Sequence, residues 1–137
     1  MNHKIDWTPP SGWSRILSLD MHSGGEPLRI LLEGLPEIRG KTILEIRNYF
    51  RRNLDHIRTG TMWEPRGHSD MYGAVITEPV TRDGDFGLLF LHNEGYSTMC
   101  GHAVIAITRM VIETGILKKE GSRIDLNIDS PSGRIVS

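Results

Sequence analysis

The pattern of apolar and polar positions divides the chain into short strands and two helices. Ile16, Leu17 and Leu19 supply the apolar positions of a strand predicted over Ser14 to Asp20. The turn His22-Ser23-Gly24-Gly25-Glu26-Pro27 follows, and Leu28, Ile30, Leu31 and Leu32 form a second strand beyond it. The period then changes. Ile43, Ile46, Phe50, Leu54 and Ile57 recur at helical spacing behind a capping box made by Thr42 and Glu45, and Gly60 is the expected stop. The opposite face carries Arg47, Arg51, Arg52, Asp55 and Arg58, a pattern whose simplest reading is a solvated surface. Met71 to Thr77 and Phe86 to Leu91 have the β-branched and aromatic content of strands, joined through Pro79 to Gly84.

A second helix is predicted from Met99 to Thr114, with Gly115 as its stop. Its residues Ala103, Val104, Ile105, Ala106, Ile107, Met110, Val111 and Ile112 point almost all round the helix. An all-apolar helix is expected to be buried on every side, here by a sheet wrapped around it. Arg123 to Ile128 and Arg134 to Val136 complete the series, flanking the turn Ser130-Pro131-Ser132-Gly133. Residues 1–13 have no period and read as an arm, which leaves 14–137 as the domain. Strands with two helices and no repeat place the chain in the α+β class.

Composition narrows the function classes. The 137 residues are 38% hydrophobic, and 16 basic side chains face 17 acidic ones for a net charge of −1. That size fits one domain, since domains run roughly 100 to 200 residues. Without a basic stripe the chain lacks the footprint of a nucleic-acid binder. Its apolar runs are far below the roughly 18 residues that cross a membrane. An acid and two prolines occupy the N-terminal segment where a signal peptide needs an apolar stretch. The single cysteine, Cys100, allows no disulfide within the chain, so the expected compartment is the cytoplasm.

Cys100 also stands in the most informative stretch, His92-Asn93-Glu94-Gly95-Tyr96-Ser97-Thr98-Met99-Cys100-Gly101-His102. A polar, glycine-containing approach leads it into the first turn of the apolar helix. Free N–H groups and the helix dipole there stabilise an anion, so the thiol is expected to have a lowered pKa and to serve as base or nucleophile. The N–H groups of Gly101 and His102 could hold a substrate carboxylate, which the missing Cβ of Gly101 lets approach. A cysteine that merely fills a core helix is the plainer alternative. A second cluster, Glu64-Pro65-Arg66-Gly67-His68-Ser69-Asp70-Met71-Tyr72-Gly73, gathers charges, a histidine and glycines before a strand. It and the His22 loop also fit structural turns. A metal site could be drawn from His22, His68, His102 and Cys100, but their spacing matches no metal motif, so none is expected.

Three segments carry a resemblance: Asp20-Met21-His22-Ser23-Gly24-Gly25-Glu26-Pro27, the Glu64 to Gly73 cluster, and Met99-Cys100-Gly101-His102. In this order they resemble the proline racemase family of proline racemases, hydroxyproline 2-epimerases and trans-3-hydroxy-L-proline dehydratases. The resemblance covers about Ile16 to Ser137, and Met-His-x-Gly-Gly-Glu-Pro with His-Asn-Glu-Gly-Tyr-Ser is most similar to the dehydratases. It implies a fold like diaminopimelate epimerase, in which two similar domains each wrap a sheet around a central helix and the active site lies between them. It also implies cofactor-independent chemistry on proline or hydroxyproline, with Cys100 taking the Cα proton. Gly101 and His102 would form the carboxylate-binding turn and Tyr72 a pocket aromatic, with His22, His68 and Asp70 as further substrate-binding candidates. A second cysteine on the other domain makes a racemase; threonine there makes a dehydratase.

On this resemblance the 137 residues correspond to the first domain. They are expected to have little activity alone, to leave an apolar face exposed where the second domain packs, and to form a homodimer in the full-length form. Two other readings stand beside it: a non-catalytic fragment that binds an imino acid or a partner, and a cysteine peroxidase or protease. The last lacks a second cysteine and any motif.

Overall fold

The computed structural model describes residues 6–137, so the first five residues of the expected arm lie outside it. Residues 6–13 form no helix or strand. Seven strands and three helices follow: β1 Leu17–Ser23, β2 Glu26–Glu33, α1 Ile43–Asn53, α2 Asp55–Met62, β3 Tyr72–Thr77, β4 Phe86–His92, β5 Gly95–Ser97, α3 Gly101–Glu113, β6 Asn127–Ser130 and β7 Gly133–Val136. The strands make one mixed sheet in the order β1-β2-β3-β4-β6-β7, with β5 paired to β4. Pairs β2/β3 and β4/β6 are parallel and the others antiparallel.

Both faces of this sheet are covered. Along β4, Phe86, Leu88 and Phe90 point to one side, where they join Leu28, Ile30, Ala74 and Ile128 against α3. Leu89 and Leu91 point to the other, against Ile43, Ile46 and Phe50 of α1 and Ile57 and Met62 of α2. The run Phe-Gly-Leu-Leu-Phe-Leu is apolar without alternation because successive side chains leave opposite faces of a doubly buried strand. Leu19 and Met21 of β1 and Ile135 of β7 also reach the α3 cluster, so every strand except β5 contributes a side chain to it.

Several boundaries differ from the sequence reading, each for a local reason. The first strand runs later than Ser14 to Asp20 because the hairpin closes in a two-residue turn. Gly24 and Gly25 take φ of +62° and +100° there, which pairs Ser23 directly with Glu26. The predicted first helix is two helices, broken at Leu54, whose N–H still bonds Phe50 O at 2.8 Å. Gly60 does not end the second one. It lacks the positive φ of a glycine stop, and the helix runs on to the fully buried Met62. The face read as solvated holds only in part: Arg51 and Arg52 are exposed, Arg47 is half-buried and Arg58 is buried. At the C-terminus only Asn127 onward is strand, although Leu126 and Ser137 still exchange two backbone hydrogen bonds.

The expectation for α3 also needs correction. Ala103, Val104, Ala106, Ile107, Met110 and Val111 are buried, whereas Ile105 is 65% and Ile112 43% exposed. The helix is apolar all round but covered on one side. Ile107→Ala should therefore cost roughly 2–5 kcal/mol through the cavity it leaves, whereas Ile105→Ala should stay within about 0.5 kcal/mol. Urea denaturation of the two variants measures the difference.

Candidate active site

The sequence candidates converge at the N-terminus of α3. Cys100 is the N-cap residue rather than part of the first turn, with extended backbone at φ −149° and ψ 106°. The first helical bond runs from Val104 N–H to Cys100 O at 3.1 Å, so the N–H groups of Gly101, His102 and Ala103 have no helical acceptor. Gly101 is exposed, and a Cβ added to it would meet nothing within 4 Å. Packing does not require glycine there, and the turn is exposed at Gly101.

The thiol is 7% exposed. Its Sγ lies 3.3 Å from His102 Nδ1. Burial pushes the thiol above its ordinary pKa, and this outweighs the nearby N–H groups of Ala103 and His102, which pull it down. The helix terminus alone therefore does not yield the lowered pKa expected from sequence.

Neighbouring strands fix the His102 turn. Ser23 Oγ, at the end of β1, donates to His102 O at 2.9 Å. The His102 ring meets Tyr72 edge-on with centroids 5.2 Å apart, and the other side of Tyr72 is stacked on His92 at 5.5 Å. The Tyr72 hydroxyl pairs with Ser97 Oγ at 2.9 Å, and burial lowers the pKa of His92. Ser23, His92 and Ser97 were not singled out from sequence. Their only signal was membership of the quoted motifs, because a three-residue strand such as β5 has too short a period to see.

The remaining candidates serve their own turns. His22 is exposed and its Nδ1 accepts from Gly25 N–H at 3.2 Å. His68 Nδ1 accepts from the backbone N–H of Asp70 at 3.2 Å, and His68 O accepts from Asn93 Nδ2 at 2.6 Å. Gly67 is required by close approach, since a Cβ there would overlap the Met62 carbonyl. Thus Cys100, Gly101, His102 and Tyr72 are together, while His22, His68 and Asp70 make no bond to them. A groove of about 900 Å³ lies elsewhere, bordered by Trp7, Trp13, Arg15, His56 and Arg66. Among the described residues no group of three or more His, Cys, Asp or Glu could hold a metal ion. No helix among them is long and apolar enough to cross a membrane.

Comparison with known proteins gives a consistent result. A trans-3-hydroxy-L-proline dehydratase from Bacillus thuringiensis subsp. konkukian is 51% identical over 120 residues, covering 88% of this chain and 36% of that protein. The Homo sapiens trans-3-hydroxy-L-proline dehydratase is 51% identical over 122 residues, covering 87% and 34%. The chain spans about a third of the length of these curated relatives. A crystal structure of a hydroxyproline epimerase from Agrobacterium vitis, with trans-4-hydroxy-L-proline bound, superposes with a TM-score of 0.80. It shares 19% identity over 88% of this chain and 36% of that one, a likeness that establishes the fold. The profile described as proline racemase matches residues 18–137. With that match spanning most of its length, the chain belongs to the proline racemase family.

Proposed function

We propose that residues 14–137, behind an arm at 1–13, are the N-terminal domain of a cofactor-independent enzyme that dehydrates trans-3-hydroxy-L-proline. The observation that carries this reading is the thiol of Cys100 set beside His102 and Tyr72 at a helix N-terminus whose Gly101 faces open space. An imino-acid carboxylate would accept hydrogen bonds from the free N–H groups of that turn. The same contacts strengthen as negative charge builds on the carboxylate oxygens during loss of the Cα proton. Cys100, as thiolate, takes that proton. The electron pair of the broken C–H bond forms a double bond to C3, the C3–O bond breaks, and the hydroxide takes the proton back from Cys100 and leaves as water, which restores the thiolate. The resulting enamine tautomerises to a cyclic imine.

A thiol held neutral by burial needs more positive potential to ionise. The second domain of the longer relatives is the proposed source, and its packing against α3 would cover Ile105 and Ile112. His22, His68 and Asp70 belong to the turns that frame the site, and cytoplasmic location and a homodimer of the longer protein are part of the same proposal. Inversion at Cα by a racemase or epimerase is the second reading, favoured by the fold shared with the hydroxyproline epimerase.

Two outcomes are expected. In a protein carrying both domains, trans-3-hydroxy-L-proline should lose one water to give an imine, and Cys100→Ser should lower turnover by roughly 10²–10⁴-fold. Inversion without imine formation would replace the dehydratase reading with the epimerase one, and neither product would sink both. In the present chain, iodoacetamide should alkylate Cys100 with a half-maximal pH above the value of about 8.5 usual for a free thiol, because burial favours the protonated form. A midpoint at or below that value would mean that the site is already ionised without a second domain.

A further inference from the structure

Arg58 is the most conspicuous side chain left without a role. It is 6% exposed, on a helix face that the sequence marks as solvated. Burying a guanidinium is costly unless its nitrogens are engaged, and here all three are. Its Nε and Nη2 bind the two carboxylate oxygens of Asp55 at 2.7 and 2.9 Å, and Nη1 donates to His92 O at 3.0 Å and Asn93 O at 2.5 Å. The cation sits between two rings, 5.8 Å from the Trp63 centroid and 5.7 Å from that of Tyr96. Tyr96 in turn donates its hydroxyl to Asp55 Oδ1 at 2.6 Å, while Arg47 Nη2 donates to Tyr96 O at 2.7 Å. Trp63 Nε1 adds a bond to Asn93 O at 2.9 Å.

The contacts made to His92, Asn93 and Tyr96 all end on one short hairpin, β4–β5. β5 has only three residues and pairs with β4 alone, so the sheet by itself holds it weakly. The hairpin nevertheless carries Ser97, which fixes Tyr72 against His102, and it runs through Thr98 and Met99 directly into Cys100. We infer that Asp55, Arg58 and Tyr96 are positioning residues that hold the β4–β5 hairpin so that Cys100 and Tyr72 stand in register. The break between α1 and α2 belongs to the same device, because Asp55 opens α2 immediately after Leu54. This inference rests on the catalytic reading of Cys100 for its purpose, but its test does not depend on turnover.

The test compares Arg58→Lys and Tyr96→Phe with the unaltered chain. Lysine keeps the charge and cannot make the bidentate fork. Tyr96→Phe removes one hydrogen bond and leaves the ring. Arg134→Ala serves as the comparator, since it breaks ion pairs with Asp83 and Asp129 and none with residues 92–100. The readouts are the iodoacetamide labelling rate of Cys100 at fixed pH and amide hydrogen exchange. Arg58→Lys should label about tenfold faster and Tyr96→Phe roughly threefold faster, with faster exchange confined to residues 92–100. Arg134→Ala should label at the unaltered rate. Equal rates in all four proteins would overturn the inference, as would a matching acceleration in Arg134→Ala. If Arg58→Lys fails to fold by circular dichroism, Tyr96→Phe decides alone. Absence of turnover in a protein carrying both domains, with these rates changed, would refute the proposed function and leave the positioning role standing.

Discussion

The structure depends on burying both faces of one sheet. A strand such as β4, apolar at nearly every position, is stable in water only if two separate layers cover it. α3 provides one layer and the α1–α2 pair the other, and the two clusters share no residue. This division sets the chemistry as well as the core. The thiol stands on the α3 side, while the groups that hold the hairpin leading to it come from the α1–α2 side. The sheet edge at β5 is where the two layers communicate.

The state of Cys100 follows from this arrangement. A helix N-terminus attracts negative charge, but the effect is worth only about 0.3–1 kcal/mol at an exposed end. Burial of the sulfur between α3 and the sheet works against ionisation and wins. Placing a cysteine at a helix start is therefore not sufficient to make it reactive. What the site provides is preorganisation: a buried sulfur, a nearby imidazole and N–H groups with no helical acceptor.

How much of this was legible in the sequence differs by level. Strands β2, β3 and β4 and the start of α1 came from simple periodicity, and the Thr42 cap is made as expected, with Glu45 N–H donating to Thr42 Oγ1 at 3.2 Å. Cys100, Gly101, His102 and Tyr72 were named from motifs, and they are neighbours. Arg58 was not legible because its burial depends on the Tyr96 ring and the His92 and Asn93 carbonyls, more than 30 residues away, which no helical wheel contains. The exposure of Ile105 and Ile112 was missed for the complementary reason. Hydrophobicity reports what a residue favours, and among the described residues nothing covers that side.

That uncovered side bears on the site itself. On a helix, residues four apart share a face, so Ile105 lies one turn below Gly101, and Ile112 follows two turns further along. The exposed apolar stripe therefore begins at the turn that presents the free N–H groups. On the proposed reading, a second domain that covers Ile105 and Ile112 would extend along this face towards Gly101. Hydrophobic docking and enclosure of the exposed turn would then be one event. That coupling would also raise the strength of the turn's N–H groups towards a carboxylate, because electrostatic interactions grow as the local dielectric falls. On the proposed reading, a turn that is exposed at Gly101 in the present chain would be enclosed, and made more strongly polarising, by the same contact that buries two isoleucines.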